Sequence, residues 1–162
     1  MKVVIIKYNA GNVESVANAL KRLGVEPIVS ADHEVIRTAD RVIFPGVGEA
    51  KNTMEYLKRE RLDELICSLK QPVLGICLGL QLMCSHSEEG DVDCLGIFDA
   101  QVKRFQPEAG REFIDKVPHM GWNTIGEVQS SLFDETLEGE YVYYVHSYYA
   151  TVGEHTAAIG NY

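Results

Sequence analysis

The stretch Pro72-Val73-Leu74-Gly75-Ile76-Cys77-Leu78-Gly79-Leu80-Gln81-Leu82-Met83 settles the architecture. An apolar run behind a proline reads as a strand over Pro72–Ile76, and the residues just after Cys77 read as a helix. The chain therefore turns sharply from strand to helix at a cysteine. Gly75-x-Cys77-x-Gly79 across that turn is the cysteine form of a nucleophile elbow. A side chain two positions to either side would crowd the turn and the approaching helix. A helix N-terminus beneath the sulfur favours thiolate over thiol. The Leu78 N–H is then placed where an oxyanion would form.

Upstream of the elbow, the preceding strand Arg41-Val42-Ile43-Phe44 runs into Pro45-Gly46-Val47-Gly48. In a parallel sheet the C-terminal ends of neighbouring strands share one edge, where open α/β sheets bind ligands. A glycine-rich loop there can offer a second N–H to an oxyanion, from Val47 or Gly48. It is a poor phosphate loop, with no Gly-Lys-Ser/Thr after it and no GxGxxG. Nearer the N-terminus, Val3-Val4-Ile5-Ile6 is a strand buried on both faces. Asn12 caps a helix with Val13, Val16, Ala17, Leu20 and Leu23 on one face and Gly24 at its end. A short strand at Glu26–Val29 and a helical turn near Glu34–Thr38 follow, and helical segments cover Glu49–Lys58 and Leu62–Leu69. This alternation predicts an α/β fold, a mostly parallel sheet with helices on both faces. After residue 90 short strand-like runs replace it, at Leu95–Phe98, Gln101–Phe105, Asn123–Ile125, Tyr141–His146 and Ala157–Ile159. The second half therefore reads as mixed or antiparallel.

With 162 residues and 46% apolar content, the chain is about one domain long and can bury a core without a staple. A net charge of −9 argues against nucleic acid and against an anionic membrane surface. No apolar run approaches the ~18–20 residues of a membrane span, and the N-terminus does not read as a signal peptide. A cytoplasmic setting follows as an expectation. The cysteines at 67, 77, 84 and 94 form no CxxC, so a zinc ribbon or thioredoxin-type motif has no support; no metal and no cofactor is expected. Cys67, Cys84 and Cys94 read as small buried hydrophobes.

The elbow together with Pro45-Gly46-Val47-Gly48 resembles the class I (triad) glutamine amidotransferases, whose sheet is flavodoxin-like. Tyr8-Asn9-Ala10-Gly11-Asn12 with Ser15, Ser87-Glu88-Glu89-Gly90, Pro118-His119-Met120-Gly121-Trp122-Asn123 and Val145-His146-Ser147-Tyr148 narrow the match. They resemble the glutaminase subunits of imidazole glycerol phosphate synthases, from histidine biosynthesis. The resemblance implies hydrolysis of L-glutamine to glutamate through a Cys77 thioester, with ammonia passed to a cyclase subunit in a heterodimer. It implies oxyanion donors at Leu78 and at Val47 and Gly48. It also implies that Gln81, Glu89, His146, Ser147 and Tyr148 line the amino-acid end of the substrate. Asn12, Trp122, Asn123 and Tyr143 match positions on the cyclase side. From the residues alone, Gln81 is merely one turn into a helix, Glu89 one of several solvated acids, and Trp122 equally a core anchor.

The family's base and its orienting acid belong to a His-Pro-Glu tripeptide late in the chain, and none of the five histidines is followed by Pro-Glu. Within the sequence the candidate base is His146, which the resemblance places beside the substrate's tail instead. The expectation is a single glutaminase domain over 1–162 that lacks its C-terminal segment and is inactive by itself. Two other readings stay open: a non-catalytic binding or regulatory module of the same fold, and another α/β cysteine hydrolase.

Overall fold

The computed structural model describes residues 1–9, 11–107, 116–130 and 133–162. Ala10, in the middle of the quoted Tyr8–Asn12 stretch, lies outside the described residues. The chain divides into two compact units, Met1–Asp99 and Ala100–Tyr162.

The first unit runs β1 (Val3–Ile6), α1 (Val13–Arg22), β2 (Ile28–Ser30), α2 (His33–Arg37), β3 (Arg41–Gly46), α3 (Ala50–Arg59), α4 (Leu62–Ser68), β4 (Val73–Cys77) and α5 (Leu78–Met83), then the short hairpin β5 (His86–Ser87) and β6 (Val92–Asp93). β1 to β4 form a sheet in the order β2-β1-β3-β4 with every pair parallel. All four residues of β1 are buried, as a strand covered on both faces should be. Alternation sends Val4, Ile6, Val42 and Phe44 to one face, where they pack with residues of α2 to α5 such as Ile36, Leu57, Leu65 and Leu82. Val3, Ile5 and Ile43 face the other way, against Val13, Val16, Ala17 and Leu20 of α1. Asn12 caps α1 as expected, its side chain accepting the Ser15 N–H at 3.3 Å.

Three expectations are corrected in this unit. Pro45 and Gly46 continue β3 rather than stopping it, pairing with Ile76 and Cys77. The Val42 N–H bonds to Pro72 O, so even residues of β3 bond to β4 and odd ones turn away. Proline's missing N–H therefore interrupts nothing on the β4 side. Leu95–Phe98 forms no strand. Its N–H groups are taken by the carbonyls at the end of α5, Leu95 on Leu82, Gly96 on Cys84, and Ile97 and Phe98 on Met83. Cys67 is exposed, one position past the buried Leu65 and Ile66 of α4, while Cys84 is buried and Cys94 partly so.

The second unit contains β7 (Gln101–Arg104), β8 (His119–Thr124), a 3₁₀ turn (Glu135–Leu137), β9 (Tyr141–His146) and β10 (Tyr148–Ala150). β7 pairs antiparallel with β10, and β8 with β9 over six residue pairs from His119–His146 to Thr124–Tyr141. The second half is thus antiparallel, as read. Of the expected Ala157–Ile159 strand only a single bridge from Ile159 to Gly126 forms.

Candidate active site

Cys77 ends β4 and stands at the N-cap of α5 with φ 53° and ψ −117°. A positive φ of this kind is unfavourable for any residue with a Cβ, and such strain concentrates at functional turns. Its surroundings enforce it. A Cβ on Gly79 would lie 1.9 Å from Phe44 O, one on Gly46 2.2 Å from Gly79 N, and one on Gly75 2.8 Å from Leu80 Cα. The first turn of α5 is therefore seated directly on the backbone of β3 and β4, and only glycine admits that approach. The seat turns Cys77 outward, where it is exposed, while Leu78 is buried beneath it. As the first residue of α5, Leu78 carries an N–H with no acceptor inside the helix.

Beside the elbow, Val47 is half exposed and Gly48 has φ +119°. A cavity of about 270 Å³ opens there, lined by Tyr8, Asn9, Val47, Gly48, Glu49, Asn52, Thr53 and Tyr56. The Asn9 end of the β1–α1 turn thus reaches Val47, as the parallel order predicts. Two carboxylates cap α3. Glu49 accepts from the N–H groups of Lys51 and Asn52, and Glu89 from that of Ala50 at 2.9 Å. Together they satisfy three donors that the helix leaves open. Glu89 sits in the β5–β6 hairpin loop, where Ser87 Oγ accepts its N–H at 3.1 Å. His86 clasps the base of that loop, 3.0 Å from Asp93 and 3.2 Å from Asp91. Partial burial pushes the Glu89 carboxyl above its ordinary range, the Ala50 N–H draws it back, and Glu49 adds to the rise. Gln81 lies on the second turn of α5, half-buried. Burial raises the thiols of Cys67, Cys84 and Cys94, the last to about 11.

The remaining predicted residues lie in the second unit. His146 Nδ1 is 2.8 Å from Tyr148 O, and because a carbonyl only accepts, that nitrogen carries the proton. Its Nε2 meets His119 Nδ1 at 3.2 Å. His119 is stacked between Tyr144 and Tyr162, and burial, with His146 beside it, lowers its pKa. Ser147 O accepts from Phe105 N–H at 3.0 Å, and Tyr148 pairs with Arg104. Both ring nitrogens of His146 are thus committed inside Ala100–Tyr162.

Trp122 and Tyr143 are cross-strand partners whose rings meet edge to face at 5.5 Å. They share an exposed face with Met120, Tyr141 and Val145. Asn123 is on the other side of the strand, its Nδ2 donating to Asn161 O at 2.7 Å. The sequence reading missed Met120, Tyr141 and Val145, although the period-two pattern of Tyr141–His146 puts them beside Tyr143. It also gave no role to Tyr8 or Glu49.

A glutamine amidotransferase class-I family profile matches residues 4–159. The chain belongs to that family. It is 62% identical over 162 residues to the imidazole glycerol phosphate synthase subunit HisH of Bacteroides thetaiotaomicron, spanning 100% of this chain and 81% of that protein. It is 43% identical over 167 residues to the HisH 1 protein of Pseudomonas aeruginosa, covering 98% of this chain and 78% of the relative. Among solved structures, a glutamine amidotransferase superposes with a TM-score of 0.70 at 19% identity, covering 96% of this chain and 78% of its own. A GMP synthase component from Thermoplasma acidophilum gives 0.61 at 19%, covering 93% and 67%. These two likenesses establish the α/β fold of the family; the HisH relatives place the chain within it. Among the described residues no cluster of His, Cys, Asp or Glu could hold a metal, and no helix is long and apolar enough to cross a membrane.

Proposed function

We propose that this chain is the glutaminase subunit of an imidazole glycerol phosphate synthase. It hydrolyses L-glutamine to glutamate and supplies the ammonia to a cyclase subunit for histidine biosynthesis. The observation that carries this reading is Cys77, held at φ 53° on a turn that glycines 46, 75 and 79 make possible, in a chain 62% identical to a HisH subunit along its length.

Cys77 Sγ attacks the carboxamide carbon of glutamine, and the oxygen that becomes negative is received by the N–H groups of Leu78 and of Val47 or Gly48. Collapse of the tetrahedral adduct breaks the C–N bond. Protonated nitrogen leaves as ammonia, and water hydrolyses the thioester. In the class I pattern the travelling proton is carried by a His backed by a Glu in His-Pro-Glu, a tripeptide absent from these 162 residues. His146 has both ring nitrogens engaged within Ala100–Tyr162, Nδ1 by Tyr148 O and Nε2 by His119, which argues against its serving as the base. Glu89 Oε2 is held by Ala50, and we assign its Oε1 to the substrate's ammonium group, with Gln81 at the same end. The exposed face around Trp122 and Tyr143 is assigned to the cyclase.

The test is a glutamine-derived chloroketone applied to the full-length protein with and without the cyclase. We expect stoichiometric labelling of Cys77, enhanced by the partner, and loss of glutaminase activity in Cys77→Ala. Labelling at another cysteine, or an active Cys77→Ala complex, would sink the assignment.

A further inference from the structure

Tyr8 stands two residues past β1, buried, with its hydroxyl donating to the carbonyl oxygen of Pro45. Its ring is fixed between Phe44 and Tyr56, with centroids 5.5 and 6.5 Å away. The β1–β3 register stops at Ile5–Ile43, two residues short of Pro45. As an odd residue of β3, Pro45 turns its carbonyl toward the β1 side, where the ladder has ended. The Tyr8 hydroxyl supplies the donor that the strand no longer offers. Gly11, at φ +105°, closes on the same residue from its ring side, since a Cβ there would come 3.3 Å from Pro45 Cγ. Tyr8 thus holds the Pro45 carbonyl, and Gly11 leaves little room for a side chain beside the Pro45 ring, immediately before Gly46-Val47-Gly48. Burial, with the charge of Cys77 adding to it, raises the phenol far above its ordinary value, so it remains a donor at any working pH.

We propose that Tyr8 is a positioning residue for glutamine hydrolysis: by holding the Pro45 carbonyl, its hydroxyl sets where the Gly46-Val47-Gly48 peptides aim their N–H groups. The inference rests on the reading in which Val47 or Gly48 supplies an oxyanion donor. Such a donor acts where charge develops, so misplacing it slows the chemical step more than it weakens binding. Deleting a donor outright costs roughly 10²–10³ in kcat, and loosening its support costs less, about tenfold.

The experiment compares Tyr8→Phe and Gly11→Ala in the full-length protein paired with its cyclase. Four quantities are read: glutaminase kcat, KM for glutamine, alkylation of Cys77 by iodoacetamide, and amide exchange in the 45–48 segment. Iodoacetamide reacts by direct displacement and needs no oxyanion donor. Expected for both variants are a kcat lower by about tenfold, KM within about twofold, unchanged alkylation, and faster exchange at 45–48. Wild-type kcat in both variants overturns the proposal, as does a parallel fall of kcat and alkylation, which would place the effect on the nucleophile. Gly48→Ala separates the underlying reading. Full kcat in that variant removes the loop's oxyanion role and Tyr8's with it, whereas loss there alongside an unimpaired Tyr8→Phe overturns Tyr8 alone.

Discussion

Glu89 carries two loads at once, capping α3 through Ala50 and, in the proposed mechanism, holding the ammonium of glutamine. Its carboxyl is raised, chiefly by burial, so it takes up a proton at a higher pH than a free glutamate, whose value is about 4.3. The proton removes the charge that attracts the substrate. We therefore expect kcat/KM for glutamine to fall on the acid side as pH drops through this raised titration, a limb reporting the free enzyme. In Glu89→Gln the limb should vanish and KM should rise about tenfold, the worth of one charge-assisted hydrogen bond. An acid limb that persists unchanged in Glu89→Gln would assign it to another group. From the sequence alone Glu89 was one acid in Glu88-Glu89-Gly90-Asp91-Val92-Asp93. What distinguishes it is a contact 39 positions away, which no local pattern encodes.

Among the elements, the elbow was legible because its constraint is local. A strand, a cysteine and a helix in direct succession need small residues on either side, and the glycines stand at those positions. The structure adds the reason, a backbone contact between α5 and β3 so close that a methyl group at residue 79 would meet Phe44 O at 1.9 Å. Gly79→Ala should lower stability by about 3 kcal/mol, the upper range for overpacking, as read from urea unfolding. A variant that unfolds at the wild-type midpoint would show that α5 can lift away from the sheet at no cost. Leu95–Phe98 was misread for a complementary reason. Its composition suits a strand, but the unpaired carbonyls of α5 compete for its N–H groups and win. Propensity describes what a segment could do, and the nearest unsatisfied donors and acceptors settle which option is taken.

At the scale of the whole molecule, the β8–β9 ribbon of the second unit is an exposed apolar feature. It presents Met120, Trp122, Tyr141, Tyr143 and Val145 on one face, with Trp122 68% accessible. Aromatic residues on a rigid ribbon are efficient anchors, since they bury a large area and lose little rotamer freedom on binding. If this ribbon carries the proposed cyclase interface, Trp122→Ala weakens that complex by about 2 kcal/mol, roughly a 30-fold rise in Kd, with the protein's own fold retained. Calorimetric titration measures it directly, and an unchanged Kd would move the interface elsewhere. Asn123 illustrates how a sequence neighbour can belong to the opposite face: the period-two alternation that exposes Trp122 turns Asn123 toward Asn161.

The parallel α/β architecture, the strand-to-helix turn at Cys77, the cap of α1 and the segments that mark the family were all readable along the chain. Each is written in short-range patterns of period, glycine placement and capping, whose physics acts over a few residues. Four other outcomes took the folded chain to settle: Pro45-Gly46 extends β3, Glu89 closes the N-terminus of α3, Tyr8 grips Pro45, and both nitrogens of His146 are already engaged. They depend on which donors and acceptors distant segments bring together once the sheet has formed, and that competition is resolved in space rather than along the chain.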